Sequence, residues 1–263
     1  RDGTHEAMKE AFSQFIRQIK PGGALVIKKG VDIVIDKPAI DVYRYSFDEK
    51  CDFYASNVEL REGGYYGFDI VCPDRVIERC TLGIPGWVNI ENAVAAVALM
   101  WIAGFDEPKL KEALASFSGV KRRFEFYVNT PRRVYMDDYA HHPRELTAAI
   151  TSVKKMFPGR RLTAVFQPHL YTRTRDFYRE FGQALSYADE VILIPLYPAR
   201  ELPIEGVTSQ VIAENITVPV VLVPKEQVVD EINGRDTDIL VTFGAGDIDA
   251  WCGRIAEAVR AKL

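Results

Sequence analysis

Long apolar runs are missing from this sequence of 263 residues: the longest, NAVAAVALMWIAGF, covers only 92–105. A membrane-crossing helix needs about 18 or more such residues, so no membrane partner is expected. Cysteine is scarce, and Cys51, Cys72, Cys80 and Cys252 form no CxxC pair, which excludes a zinc knot or a disulfide framework. Buried reduced thiols are expected instead. No charged segment leads into an apolar one at the amino end, so a cytoplasmic setting is expected, and the start at Arg1 reads as a cut. Charge of one sign is also lacking. Lys plus Arg is 33 against 37 for Asp plus Glu, a net −4, so a general nucleic-acid coat is excluded and any anion site must be local. No G-x-x-x-x-G-K-[ST] stretch occurs, so the loop that cradles a triphosphate is absent from these residues. Internal repeats and low-complexity tracts are absent as well.

What is present is a globular composition, 48% hydrophobic and 27% charged. Met8, Phe12, Phe15, Ile16 and Ile19 recur at helical spacing behind Thr4, so the pattern predicts an amphipathic helix over 4–19 with its apolar residues packed inward. ALVIKKG and AIDVYRYS read as short strands. CDFYASNVEL, GYYGFDIVC and RVIERCTL read as an antiparallel meander separated by REGG and PDR turns. A helix over 87–104, closed by Gly104, and a shorter one ending near Gly119 follow. Beyond about residue 121 strand and helix alternate. VILIPL, VPVVLV and DILVTF are continuous apolar strands, as expected when both faces of a parallel sheet are covered by helices. The fold class is therefore α/β: a mostly parallel sheet with helices on both faces, preceded by helices and a small meander.

Ligands of such sheets sit beyond the carboxyl ends of the strands. DDYAHHP (137–143), FQPHLYTRTRD (166–176) and TFGAGDI (242–248) all fall at such ends, and they hold His141, His142 and His169, three of the four histidines. His141 and His142 are adjacent and face opposite sides, so they make poor joint metal ligands, and no metal site is expected from these residues. Arg173 and Arg175 near a helix start suit a phosphate or carboxylate, or else pair with Asp176 and Glu180 on a solvated face. Lys121, Arg122 and Arg123 are an anion clamp or a solvated linker. Asn89 and Asn92, three apart, either meet a base edge or cap their helix. The GAGD turn is a weak nucleotide-loop signal whose plain alternative is close packing.

Taken together, PGWVNIENAVAA, GVKRRFE, DDYAHHPRE, VFQPHLYTRTRDFYREFGQAL, YPARELPIEGVTS and TFGAGDI resemble the Mur ligase family, with strong coverage from about residue 82 onward. The resemblance implies that 1–121 are the second half of a central ATPase domain without its P-loop, and that 122–263 are a Rossmann-like C-terminal domain. It implies a ligase that activates the carboxylate of UDP-N-acetylmuramate with ATP and Mg2+ as an acyl phosphate, which the amine of L-alanine then attacks. The main magnesium ligands and the P-loop are expected ahead of Arg1, so these residues alone are expected to be inactive. By the same likeness Asn89 and Asn92 lie at the adenine, and Arg123 and Asp138 hold the ribose and phosphates. Tyr139, His141, His169, Arg173 and Arg175 orient the two carboxylates, with His141, His169, Arg173 and Arg175 as the catalytic set. The family usually carries Arg-His ahead of the first Asn of the helix motif, where this chain has Trp87-Val88, so the adenine contact is expected to differ in detail. The YTRTRD string separates the chain from the branch that recycles a murein tripeptide onto UDP-N-acetylmuramate. That branch and a non-catalytic nucleotide-binding module are the alternatives.

Overall fold

A computed structural model describes residues 5–263; Thr4, the expected helix cap, lies outside them. The chain divides into two compact units, one ending at Ser118 and one running from Gly119 to Leu263.

The first unit contains α1 (His5–Ile16), β1 (Ala24–Lys28), β2 (Asp41–Ser46), β3 (Phe53–Leu60), β4 (Tyr66–Val71), β5 (Val76–Thr81), α2 (Trp87–Ile102) and α3 (Glu107–Ser116). Its sheet has the order β1-β2-β3-β4-β5. The expected meander is β3-β4-β5, whereas β1, β2 and β3 run parallel to one another. Phe53, Phe68 and Ile70 from the sheet bury against Ile90, Val94 and Val97 of α2, so the Ala-Val stripe of that helix is core. Gly104 ends it at φ 74°, with its N–H on the Trp101 carbonyl at 3.1 Å. The expectation for α1 fails: Met8, Phe12 and Phe15 are 52%, 51% and 68% exposed, and only Ser13 and Ile16 are buried. Helical spacing reports which face is apolar, and here the described residues cover it only at Ile16.

The second unit contains β6 (Glu125–Asn129), β7 (Val134–Asp138), α4 (Pro143–Met156), β8 (Leu162–Phe166), α5 (Tyr171–Leu185), β9 (Glu190–Leu193), α6 (Ser209–Ala213), β10 (Val220–Leu222), α7 (Val228–Asn233), β11 (Ile239–Phe243) and α8 (Cys252–Arg260). Strand order is β10-β9-β8-β11-β7-β6, parallel except for the antiparallel edge strand β6. The chain steps outward from β7 through β8 and β9 to β10, then returns to insert β11 between β7 and β8. Outward and return crossovers of the same hand place their helices on opposite faces. The packing agrees. Met136, Phe166, Leu193 and Val241 join Leu146, Ile150 and Phe181 of α4 and α5. The alternate residues Tyr135, Val165, Ile192 and Leu240 join Ile232 of α7 and Ile255 and Val259 of α8. Because β7, β8 and β11 are neighbours, their carboxyl ends lie side by side, and at that edge the chemically unusual residues collect.

Candidate functional site

The β7 end is built on two buried aspartates. Asp137 is fully buried, accepting from Thr242 Oγ1 at 2.6 Å and pairing with Arg122 Nε at 3.0 Å. Arg122 also donates to the carbonyls of Gly244 and Gly246, which ties the segment ahead of β6 to the turn after β11. Asp138 accepts from the backbone N–H of Phe124 at 3.0 Å and of Ala140 at 2.9 Å. Burial raises its carboxyl above the ordinary value against those two donors. Its oxygens therefore hold the loop that carries Arg123. Arg123 is exposed and lies 5.9 Å from the centre of the Tyr139 ring, with Arg122 at 5.0 Å.

Beyond Asp138 the backbone turns into α4 at His142. The cap is reciprocal: His142 Nδ1 accepts from Arg144 N, and Glu145 accepts from the backbone N–H of His141 and His142. His142 is thus a helix cap, packed on Phe177. His141 turns the other way. Its Nδ1 lies 2.9 Å from the Tyr139 carbonyl, and a carbonyl only accepts, so Nδ1 carries the hydrogen and Nε2 is left for a ligand. The rings of Tyr139 and His141 are 5.1 Å apart, and His169 lies 6.4 Å beyond.

His169 is presented by the β8 end and stacks on Tyr197 at 5.7 Å. Burial, then the charges of Arg173 and His141, hold it below its ordinary value, so it is neutral at pH 7. His169 Nδ1 and Arg173 Nη1 are buried without a hydrogen-bond partner. Such groups are costly to leave unsatisfied: Arg173 Nη1 marks a place for an acceptor, and Nδ1 of the neutral ring takes a donor or an acceptor according to its tautomer. Arg175 is not brought into this group. Two positions further along α5 it is half exposed, its Nε donating to Asp176 at 2.7 Å. The spacing left both readings open, and the solvated pair is the one observed.

The third strand end is a tight turn. Gln167 donates to Asp247 at 2.8 Å and accepts from Ile248 N at 3.0 Å. A Cβ on Gly244 would stand 2.6 Å from the Gln167 carbonyl, so these glycines serve close packing. Burial pushes Asp247 up, but Lys225 at 2.6 Å and Gln167 outweigh it and hold the carboxyl below its usual range.

In the first unit, Asn89 Nδ2 donates to the Pro85 carbonyl at 2.7 Å at the start of α2, while Asn92 is exposed. Sequence reasoning quoted YPARELPIEGVTS only as a family motif and gave no site role to its Tyr197 and Glu201, which reach the β8 end from the loop after β9; the motif flagged the loop, but no spacing rule joins residues so distant along the chain.

Residues 122–246 match the glutamate ligase domain of Mur ligases, and residues 2–100 match the Mur ligase middle domain. The chain belongs to the Mur ligase family. It is 43% identical over 99% of its length to the UDP-N-acetylmuramate–L-alanine ligase of Phocaeicola vulgatus, of which it spans 57%. Among solved Mur ligases, the UDP-N-acetylmuramate–alanine ligase of Thermotoga maritima superposes with a TM-score of 0.75 at 21% identity, over 99% of this chain and 56% of the other. The MurF ligase of the same organism, solved in complex with ADP, gives 0.70 at 17% identity, over 99% of this chain and 59% of the other. At such identities the solved structures speak to the fold. This Mur ligase chain spans little more than half of each relative.

Proposed function

We propose that this chain is the part of an ATP-dependent ligase that receives the amino acid, in an enzyme that joins L-alanine to the carboxyl of UDP-N-acetylmuramate through an acyl phosphate. The observation that carries the reading is the buried, unpartnered pair formed by His169 Nδ1 and Arg173 Nη1 at the end of β8. A guanidinium left without an acceptor suits a carboxylate, and the neutral His169 ring adds a second donor when its hydrogen sits on Nδ1.

In this reading His169 and Arg173 hold the carboxylate of L-alanine, while Tyr139 and His141 line the place of the muramoyl carboxyl, with Arg175 on the outer side. Fixed donors and cations of this kind stabilise the charge that develops as the amine attacks, and they hold the reactants in line. Arg123 and Asp138 serve the nucleotide's ribose and phosphates from the second unit, and Asn89 and Asn92 are the adenine candidates of the first, with residues 1–121 as part of the ATPase domain and 122–263 as the Rossmann-like domain. Asp138 contributes by fixing the loop that presents Arg123. Among the described residues no three His, Cys, Asp or Glu gather to hold a metal.

The test joins this chain to the portion of the Phocaeicola vulgatus ligase that it does not span, and follows phosphate release. Release that requires both UDP-N-acetylmuramate and L-alanine is expected. Coupling of murein tripeptide in place of L-alanine would assign the recycling reaction, and nucleotide binding with no amine coupled would leave only a binding module.

A further inference from the structure

Helix α5 has no cap of its own: Leu170 stands at φ 72° and offers no side-chain acceptor. Glu201 takes that place from the loop after β9, accepting from Thr172 N at 2.9 Å and from Thr172 Oγ1 at 2.5 Å. Tyr197 brings the loop there, its N–H on the Pro168 carbonyl at 2.8 Å and its carbonyl receiving Leu170 N at 3.0 Å. The hydroxyl and N–H of Thr172 hold the Glu201 carboxyl below its usual range, so it is ionised at neutral pH. Among the described residues no Lys or Arg forms an ion pair with it; Arg175, which pairs with Asp176, lies close enough for the Glu201 charge to act on it. The backbone N–H of Tyr171 also leans on this carboxylate, and of its roughly four acceptor positions at least one stays open.

This strand end therefore holds a guanidinium with a buried Nη1 left open, Arg173, and a carboxylate in no direct ion pair, Glu201, which feels the charges of Arg175 and His169 only at longer range. They are not paired with each other. An α-amino acid is a zwitterion whose two charges match that pattern. The other carboxylates at the edge are already engaged: Glu145 caps α4, Asp137 binds Arg122 and Thr242, and Asp138 accepts from two backbone N–H groups. We propose that Glu201 receives the ammonium group of the amino-acid substrate and so sets the requirement for an α-amine. The inference rests on the amino-acid site described above. Glu201 binds the ammonium and stays ionised; deprotonation of the amine falls to another group.

The test uses the joined enzyme, with Glu201→Gln and L-lactate, which has a hydroxyl where L-alanine has the ammonium. Glu201→Gln should raise the KM for L-alanine about tenfold or more, the loss of one charge-assisted contact, with kcat and the KM for ATP and UDP-N-acetylmuramate little changed. Inhibition by L-lactate should be equal in both enzymes, and Glu201→Asp should recover part of the L-alanine KM. Equal loss of L-alanine and L-lactate binding would overturn the proposal, because it would show only a disturbed helix end. Unchanged kinetics would overturn it too, as would tighter L-alanine binding, which would make Glu201 a competing anion. If the enzyme couples a peptide amine in place of L-alanine, the proposed function fails, but the same KM comparison made with that amine still tests Glu201.

Discussion

His169 shows how much of this edge depends on where single groups sit. It is half-buried beside Arg173 and under Tyr197, and burial first, then the neighbouring charges, disfavour its protonated form. In the unfolded chain the ring titrates near its ordinary 6.5. Between that value and the lower folded one, the unfolded state binds a proton that the folded state refuses. The resulting stability is complete above about pH 6.5 and is lost as pH falls through the window below it. His169→Gln keeps a polar group of similar reach without the titration, so its stability should fall less steeply than that of the unmodified chain as the pH drops below neutral. Urea unfolding at a series of pH values reads this directly. Parallel curves for the two proteins would mean that folding leaves the His169 titration unshifted, and the burial and charge effects argued for this ring would be wrong.

At the scale of elements, the sequence patterns carried unequal amounts of information. β9 and β11 were legible because a strand buried on both faces is apolar through most of its length, while β7 and β8 were legible from apolar runs that end in the polar residues of the site, and α4 from Pro143 at its first position. β6 escaped notice, since an edge strand need not be uniformly apolar and its lead-in, Lys121 to Arg123, reads as a charged linker. That the histidine-bearing strand ends gather at one sheet edge was legible, but the partner of each arginine was not. Arg122, Arg123, Arg173 and Arg175 look alike in sequence; one is bound to Asp137, one exposed, one left open and one paired with Asp176. Those outcomes depend on contacts across the sheet. The turn after β11 allows a clean test of the close-packing reading. Gly244 stands at φ 137°, and a Cβ there would lie 2.6 Å from the Gln167 carbonyl. Gly253 in α8 has nothing within 4 Å of a built Cβ. Gly244→Ala should therefore cost about 1–3 kcal/mol, while Gly253→Ala should stabilise by up to about 1 kcal/mol. Urea midpoints of the two variants check both signs, and a neutral Gly244→Ala would show that the turn relaxes freely.

For the whole molecule, the mild net charge of −4 averages over unlike surfaces, and the two units differ in how far their described residues cover their own apolar faces. The second unit has a core on each face of its sheet, and every buried residue of both cores falls between Val128 and Val259. None comes from the first unit, whose core runs from Phe53 to Leu114. A unit whose buried apolar surface is all its own has what it needs to fold alone. The joining segment is open to solvent, with Phe117 44% and Val120 60% exposed, and exposed connections are where proteases cut first. Brief chymotrypsin treatment should therefore cleave at Phe117 and leave a resistant product that begins near residue 118. That product should unfold in a single cooperative urea transition, at the midpoint shown by its half of the intact chain. The first unit should be degraded sooner, because α1 leaves Met8, Phe12 and Phe15 uncovered and buries little to hold itself in place. Loss of both units at one rate, with no resistant product, would show that the two fold as a single cooperative body and would remove the boundary at Ser118.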